Sequence, residues 1–248
     1  MRKLTFSALL LMGLLSSGIA SAATCTTDTL ANYIANFSCT SGPLTYLGFS
    51  FLETTPGGST GNITASNLNI VPIGGTGIDI QGTTPSVFNR TITQHEQYLI
   101  SYAVDPPPVV AGDELFLDPP TGPVTVSKWT CPGGIAFPNP GGGGLGGLPS
   151  TYSSNTFKCI SIDSTGTLFD SYFLQVSPPN LIDSVTYAAP NAFVHVVLVI
   201  DLYPGAVEGL NGIENRVAIV PEPAAIAPLA AAVVGLGIFV RRRRTIKN

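Results

Sequence analysis

Short runs of alternating apolar and polar residues recur through most of this chain, and glycine and proline residues separate them. The clearest run is YLISYAV at 98–104. Alternation predicts β-strands because successive side chains of a strand point to opposite faces of its sheet. Such strands recur about every 10–15 residues without helical patterns between them, which favours a mainly β fold, an antiparallel β-sandwich, over a parallel α/β sheet. The longest run is AFVHVVLVIDLYP at 192–204, with an aliphatic face formed by Val194, Val196, Leu198, Ile200 and Leu202.

Further strands are predicted from shorter segments of the same kind. Proline cannot donate a hydrogen bond to a strand ladder, so the PPP sequence at 106–108 ends the strand before it. The other predicted strand segments are YLGFSFLE (46–53), NLNIV (67–71), GIDI (77–80), DELFLD (113–118), PVTVSKWTC (123–131), FKCISID (157–163), TLFDSYFLQV (167–176) and DSVTYA (183–188).

One short N-terminal helix is predicted before these strands. The segment TTDTLANYIANFS places apolar residues at helical spacing, and Thr27 or Asp28 is able to cap its start. The apolar positions of this helix are Leu30, Tyr33, Ile34 and Phe37.

Both ends of the chain carry apolar segments of a different kind. The cationic residues Arg2 and Lys3, an apolar run at 4–15 and the small residues of SSGIASAA predict a cleaved secretory signal peptide at 1–23. The apolar run at 224–240 is about 25 Å long as a helix, slightly shorter than the ~30 Å hydrocarbon core of a bilayer. The sequence therefore divides into a signal peptide (1–23), one β-sandwich domain (24–219) and a C-terminal segment (220–248).

The region between the two ends is strongly acidic. Residues 24–220 contain four basic and fourteen acidic residues, a net charge of −10. Binding to nucleic-acid phosphates needs clustered lysine and arginine, so we expect no nucleic-acid partner.

All four cysteines lie in the exported region, where thiols are oxidised to disulfides. Four cysteines allow three connectivities, and we favour the two pairs that are local in sequence. A metal site is the competing interpretation, and the absence of a Cys-x-x-Cys pair argues against it. The predicted disulfides are Cys25 with Cys39 and Cys131 with Cys159.

The segment between the last two cysteines breaks the rhythm of the strands. Eight glycines lie between residues 133 and 147. A segment of this composition buries too little apolar surface to offset its backbone entropy, so it predicts a mobile surface loop. A phosphate-binding loop is not expected, because no Lys-Ser/Thr pair or helical pattern follows the glycines.

The residues with catalytic or metal-binding chemistry are few. His95 and His195 are the two histidines, and they could hold a metal with carboxylates such as Asp201, or His195 could activate a serine. Asp113, Glu114 and Asp118 could likewise collect Ca²⁺ with loop carbonyls, although a solvated acidic strand edge explains them more simply. No known catalytic or metal-binding motif surrounds these residues, so we expect no catalytic site, bound metal or cofactor.

Aromatic residues leave two interpretations open. Trp129 and several tyrosines lie on predicted strands. An exposed row of aromatic rings would stack against sugars, whereas a buried aromatic core explains the same residues without a ligand.

The C-terminal segment carries the most specific pattern in the chain. A Pro-Glu-Pro sequence, the apolar run at 224–240 and four consecutive arginines follow one another at the end of the sequence. In order, spacing and terminal position this segment resembles the PEP-CTERM sorting signal. The resemblance implies recognition by the membrane protease-transpeptidase exosortase, transient membrane retention by the apolar helix, and a cytoplasmic position for the arginines. The residues that carry this signal are Pro221, Glu222, Pro223, Arg241, Arg242, Arg243 and Arg244.

The resemblance also implies a setting. Its family accompanies exopolysaccharide machinery, which implies export through an inner-membrane intermediate to the outer surface or extracellular matrix of a Gram-negative bacterium. We therefore expect a non-enzymatic surface or biofilm-matrix protein with exosortase and exopolysaccharide as partners. The alternatives are a secreted hydrolase or metal-dependent enzyme that uses His95 or His195, and a simple single-pass membrane-anchored surface protein.

Overall fold

A computed structural model describes residues 23–36, 38–54, 61–105, 109–138, 155–163 and 165–220. Within them lie one α-helix, α1 (Leu30–Asn36), and two 3₁₀ turns at Ala65–Asn67 and Pro85–Val87. The strands in the same residues are β1 (Ala23–Thr24), β2 (Asp28–Thr29), β3 (Ser38–Ser41), β4 (Leu44–Glu53), β5 (Leu68–Ile73), β6 (Gly77–Gly82), β7 (Arg90–Ile92), β8 (Glu96–Val104), β9 (Val110–Leu117), β10 (Val124–Pro132), β11 (Gly134–Pro138), β12 (Phe157–Ser161), β13 (Leu168–Asp170), β14 (Tyr172–Val176), β15 (Ile182–Asn191), β16 (Val194–Leu202), β17 (Gly205–Val207) and β18 (Gly212–Ile219).

Two large sheets pack against each other. The seven-stranded sheet has the order β1-β3-β4-β8-β16-β10-β14, and the six-stranded sheet has the order β15-β9-β18-β6-β5-β2. Their neighbouring strands are antiparallel except for β1 and β3, which are parallel. The prediction of a mainly β sandwich with a short helix is confirmed for the described residues.

The main core lies between these two sheets. The aliphatic face predicted for the longest strand belongs to β16, which pairs along its whole length with β8 and β10. All five of its aliphatic side chains are buried in one cluster with side chains of the six-stranded sheet, such as Leu115, Ile80 and Ile213. Alternation therefore directs one face of each strand into this core.

A third layer covers part of the other face of the seven-stranded sheet. This small sheet has the order β11-β12-β13. Its inward residues form a second core with the outer face of β8, β10 and β16, and Trp129 is fully buried there. The Trp129 ring lies 4.8 Å from the ring of Phe157 and 5.1 Å from that of Phe173, measured between centroids.

Helix α1 begins with side-chain hydrogen bonds to the two residues that precede it. Thr29 Oγ1 accepts a hydrogen bond from the Asn32 backbone N–H at 3.3 Å, and Asp28 Oδ1 accepts one from the Asn32 side chain at 2.7 Å. The predicted capping residue Asp28 and its neighbour Thr29 thus both accept hydrogen bonds at the start of the helix. Leu30 and Tyr33 face the core.

Two predicted segments have a different arrangement in the structure. The predicted strand at 167–176 is two strands, β13 and β14, which join different sheets. They separate at Ser171, whose hydroxyl donates to the Phe157 carbonyl at 2.8 Å instead of continuing a ladder. The predicted mobile loop begins with a strand, because β11 pairs with β12 over its whole length.

Candidate functional site

The predicted terminal segments lie outside the described residues. These are residues 1–22 of the predicted signal peptide and the predicted helix at 224–240. Ala23, the last residue of the predicted signal peptide, is described and begins β1. No helix in the described ranges is long and apolar enough to cross a membrane. The predicted sorting residues beyond the described ranges are Pro221, Glu222, Pro223, Arg241, Arg242, Arg243 and Arg244.

Both predicted disulfides are present. Cys25 is joined to Cys39, and Cys131 is joined to Cys159. In the first pair, Cys25 directly follows β1 and Cys39 lies in β3. The second pair joins β10 of the sandwich to β12 of the small sheet. Disulfides persist in oxidising compartments, so the two bonds indicate an exported protein.

The two histidines occupy different environments. His195 lies on β16 beneath the small sheet, and its Nδ1 accepts a hydrogen bond from the Ala136 backbone N–H at 3.2 Å. Burial lowers the pKa of His195 from 6.5 to about 4, so the ring is neutral at pH 7. Within the described residues the hydrogen-bond partner of His195 is this backbone amide and not a serine. The contact expected if His195 activated a serine is therefore not seen among these residues.

His95 is the histidine that contacts Asp201. Its Nε2 lies 2.7 Å from Asp201 Oδ1, and its ring stacks on Tyr203 with the centroids 4.6 Å apart. Gln97 also donates to Asp201 Oδ1 at 3.0 Å. A carboxylate that orients an imidazole is an arrangement found in general bases, and of the two histidines it is His95 that contacts Asp201 in this way.

The carboxylates of β9 do not come together. Asp113 points into the main core, whereas Glu114 lies on the opposite face of the strand. No group of three or more His, Cys, Asp or Glu side chains within the described residues is arranged to hold a metal ion. The interpretation of a solvated acidic edge is wrong for Asp113, which is 3% exposed.

A buried polar cluster surrounds Asp113 between the two sheets. Lys128 of β10 is fully buried and donates hydrogen bonds to Asp113 Oδ1 and to Asn215 Oδ1. Thr130 donates to Asp113 Oδ2 at 2.6 Å, and the Asn215 amide donates to the Tyr102 hydroxyl. Burial lowers the pKa of Lys128, and the Asp113 carboxylate acts in the opposite direction. A charge this deep is tolerated only with such partners.

Sequence reasoning missed this cluster, although a signal for it exists. Along β10 the inward positions are Val124, Val126 and Lys128, so the lysine falls on the aliphatic face. An ammonium at a core position of an alternating strand requires a buried acceptor. Asn215 carried no comparable signal, because β18 was not among the predicted strands.

The aromatic residues divide between core and surface. Trp129 is buried, as the core interpretation expects, and is not accessible to a sugar. Phe169 and Tyr172, by contrast, line an open cleft of about 450 Å³ where the small sheet meets β14 and β15. Its walls also include Pro132, Ala188 and Ala189.

Polar groups stand beside the aromatic rings of this cleft. Asp170, Ser171 and Asn191 contribute a carboxylate, a hydroxyl and an amide. The side chain of Asp170 is 77% exposed and pairs with Lys158. The Tyr172 hydroxyl accepts a hydrogen bond from the Ala188 backbone N–H at 2.8 Å, which holds the ring in place.

Comparisons with known proteins do not assign this chain to a family. No protein-family model and no curated protein matches it. Among solved structures it is similar to TmCBM61 in complex with β-1,4-galactotriose, with a TM-score of 0.31 and 8% identity over 69% of this chain and 88% of that chain.

Two further solved structures resemble it at a similar level. One is the glycosylation-associated protein (Gap123) complex from Streptococcus agalactiae, with a TM-score of 0.27 and 10% identity over 72% of this chain and 27% of that chain. The other is the enzymatically active domain of tailspike protein 4 from bacteriophage CBA120, with a TM-score of 0.28 and 11% identity over 69% of this chain and 19% of that chain. At TM-scores this low, the likeness assigns no function to the chain.

Proposed function

We propose that this chain is a non-enzymatic exported protein of the bacterial surface or extracellular matrix, and that its β-sandwich contacts exopolysaccharide. The C-terminal resemblance to a PEP-CTERM signal supports processing by exosortase, and the two disulfides support an oxidising location. The cleft beside β13 and β14 carries the proposal of glycan contact.

The chemistry of this cleft suits a sugar. A sugar ring presents C–H groups on its faces and hydroxyls around its edge. The rings of Phe169 and Tyr172 offer apolar surface, while Asp170 and Asn191 offer hydrogen-bond acceptors and donors close by. Because the region at 24–220 has a net charge of −10, it repels polyanions, so the preferred ligand is a neutral polysaccharide.

A binding titration tests this proposal. The exported protein is titrated with the neutral polysaccharide fraction of its own host, and we expect saturable binding. Asp170→Asn removes the exposed carboxylate and is expected to weaken binding about tenfold, the effect of replacing a hydrogen bond to a charged group by one to a neutral amide.

The matched control is Asp105→Asn, which removes an exposed carboxylate after β8, away from the residues that line the cleft. We expect it to bind like the unchanged protein. Equal weakening by both substitutions would show a general charge effect, and absence of saturable binding would refute glycan contact.

A further inference from the structure

The buried cluster around Lys128 brings a nucleophile, an electrophile and a proton carrier into contact. The lysine amine can act as a nucleophile once it is neutral, and the Asn215 side-chain amide carries an electrophilic carbon. In the main core the Lys128 amine donates a hydrogen bond to the Asn215 amide oxygen, and it also donates one to the Asp113 carboxylate. Each residue comes from a different strand, so the backbone folds before these groups can meet.

The sheet registers explain why these three side chains converge. Asn215 lies on β18 opposite Leu115 of β9, and Asp113 lies one inward position further along β9. Lys128 extends from β10 of the opposite sheet. The lysine therefore bridges the two sheets, with the amide and the carboxylate side by side at its tip.

The side chains of this cluster are buried. Lys128 and Thr130 are 0% exposed, Asn215 is 2% exposed and Asp113 is 3% exposed. The Tyr102 ring lies beside them and contacts the rings of Tyr46 and Phe49, at centroid distances of 6.0 and 5.1 Å. In such surroundings burial lowers the pKa of Lys128, which favours the neutral amine needed for attack, although the Asp113 carboxylate acts in the opposite direction.

We propose that Lys128 and Asn215 form an intramolecular isopeptide bond, with Asp113 as the proton carrier. The Lys128 Nζ lone pair attacks Cγ of Asn215, the Nζ–Cγ bond forms, and the Cγ–Nδ2 bond breaks. One molecule of ammonia leaves, and no oxidant or other reactant is consumed. The reaction begins with an ammonium on Lys128 and a carboxylate on Asp113. At its end one proton is on Asp113, one is on the new amide nitrogen, and ammonia carries the remaining three, so atoms and charge balance.

The neighbouring hydroxyls position the reacting groups. Thr130 holds Oδ2 of Asp113 at 2.6 Å, which leaves Oδ1 directed at the lysine. Asp113 takes a proton from the attacking nitrogen and delivers one to the departing nitrogen, acting as a general base and then a general acid. The Tyr102 hydroxyl contacts the amide nitrogen that leaves as ammonia. Preorganisation of this kind replaces an external enzyme.

The product covalently joins the two sheets of the sandwich. The bond links β10 to β18 and, unlike the disulfide at Cys131, resists reduction. This modification is independent of glycan contact at the cleft, because Lys128, Asp113 and Asn215 lie in the main core.

Peptide mapping of the exported protein tests the proposal. The protein is denatured, its disulfides are reduced, since Cys131–Cys159 would link the same peptides, and it is digested with trypsin. An isopeptide blocks cleavage after Lys128. We therefore expect peptide 91–158 joined to peptide 159–216, with a mass about 17 Da below the sum of the two, the loss of one ammonia.

Other peptide maps would overturn the proposal. Separate peptides 91–128, 129–158 and 159–216 of unchanged mass would show an ordinary buried ion pair. A loss of about 18 Da within 91–158 would place the bond between Lys128 and Asp113. A loss of about 17 Da confined to an unlinked 159–216 would show a succinimide at an asparagine.

Variants identify the role of each group. Asp113→Asn keeps the size of the proton carrier but cannot accept the proton, so we expect complete loss of the joined peptide. Lys128→Arg keeps the charge and the trypsin site without a usable nucleophile, and we expect the three separate peptides. Fluorescence of the single tryptophan, Trp129, reports whether each variant is folded.

The matched control is Asp79→Asn on β6, which removes another buried carboxylate of the same sheet from its outer face. It is expected to keep the joined peptide. A joined peptide in folded Asp113→Asn protein would contradict the role of Asp113, and if neither variant folds, the map of the unchanged protein still decides whether the bond exists.

Discussion

The imidazole of His195 lies between β16 and the small sheet, where its Nδ1 accepts the Ala136 backbone N–H. Burial lowers the pKa of His195 from 6.5 to about 4. Below pH 6.5 the unfolded chain therefore binds a proton that the folded chain does not. His195 thus contributes to stability above pH 6.5, and this contribution is lost as the pH falls towards 4.

We expect the free energy of unfolding to fall by about 2 kcal/mol between pH 7 and pH 5 because of His195. In His195→Asn the amide oxygen replaces Nδ1 as the acceptor and does not titrate, so the pH dependence over this range should be smaller by that amount. Denaturant unfolding followed by Trp129 fluorescence at both pH values measures the difference. Identical pH dependence in the two proteins would contradict the buried, neutral state of His195.

At the scale of elements, β10 connects the two cores. Its inward face carries Lys128 in the main core, and its outward face carries Trp129 and Cys131 in the second core. The Cys131–Cys159 bond ties the small sheet to the sandwich across a separation of 28 residues, whereas Cys25–Cys39 spans 14. A longer closed loop removes more entropy from the unfolded chain.

We expect replacement of both Cys131 and Cys159 by alanine to lower the free energy of unfolding by about 3–4 kcal/mol. The matched control replaces Cys25 and Cys39 by alanine and should lower it less, since the loop is shorter and the cysteines are slightly more exposed. Urea unfolding measures both losses. A larger loss for the control pair would contradict loop length as the source of the difference.

The strands differ in how far the sequence could predict them. β8 and β16 were found because their alternation is regular and their apolar faces are aliphatic or aromatic. β18 was missed, since Asn215 interrupts its apolar face and its partner Lys128 lies far away in sequence. β11 was missed because Gly133 and Gly134 begin the glycine-rich segment, and its pairing with β12 is a tertiary contact. The cleft likewise depends on how β13 and β14 separate, which alternation does not indicate.

At the scale of the whole molecule, charge is distributed unevenly. Residues 24–220 carry fourteen acidic side chains, and Lys128, one of the four basic ones, is buried and paired with Asp113. The solvent-facing surface is therefore acidic, in contrast to the arginine-rich C-terminus. This contrast is visible in the sequence alone, because it depends only on where the charged residues lie along the chain.

Recovery of the protein from its native host tests the processing of both ends. We expect intact mass spectrometry of the surface and medium fractions to show a form that begins near Thr24 and ends near Pro221 to Pro223. The membrane fraction serves as the comparison, where an unprocessed intermediate is expected. A surface form that retains Arg241 to Arg244 would instead identify a simple membrane-anchored protein.

The position of β18 determines how the domain bears mechanical load. This strand ends at Ile219 and lies between β9 and β6, with hydrogen bonds to both. Bonds between antiparallel strands run perpendicular to the strand axis. A pull on residue 220 along that axis therefore shears both ladders together, whereas a pull on an edge strand would peel one ladder bond by bond. Tension applied from the C-terminal side would therefore enter the sheet at a central strand and load two ladders at once.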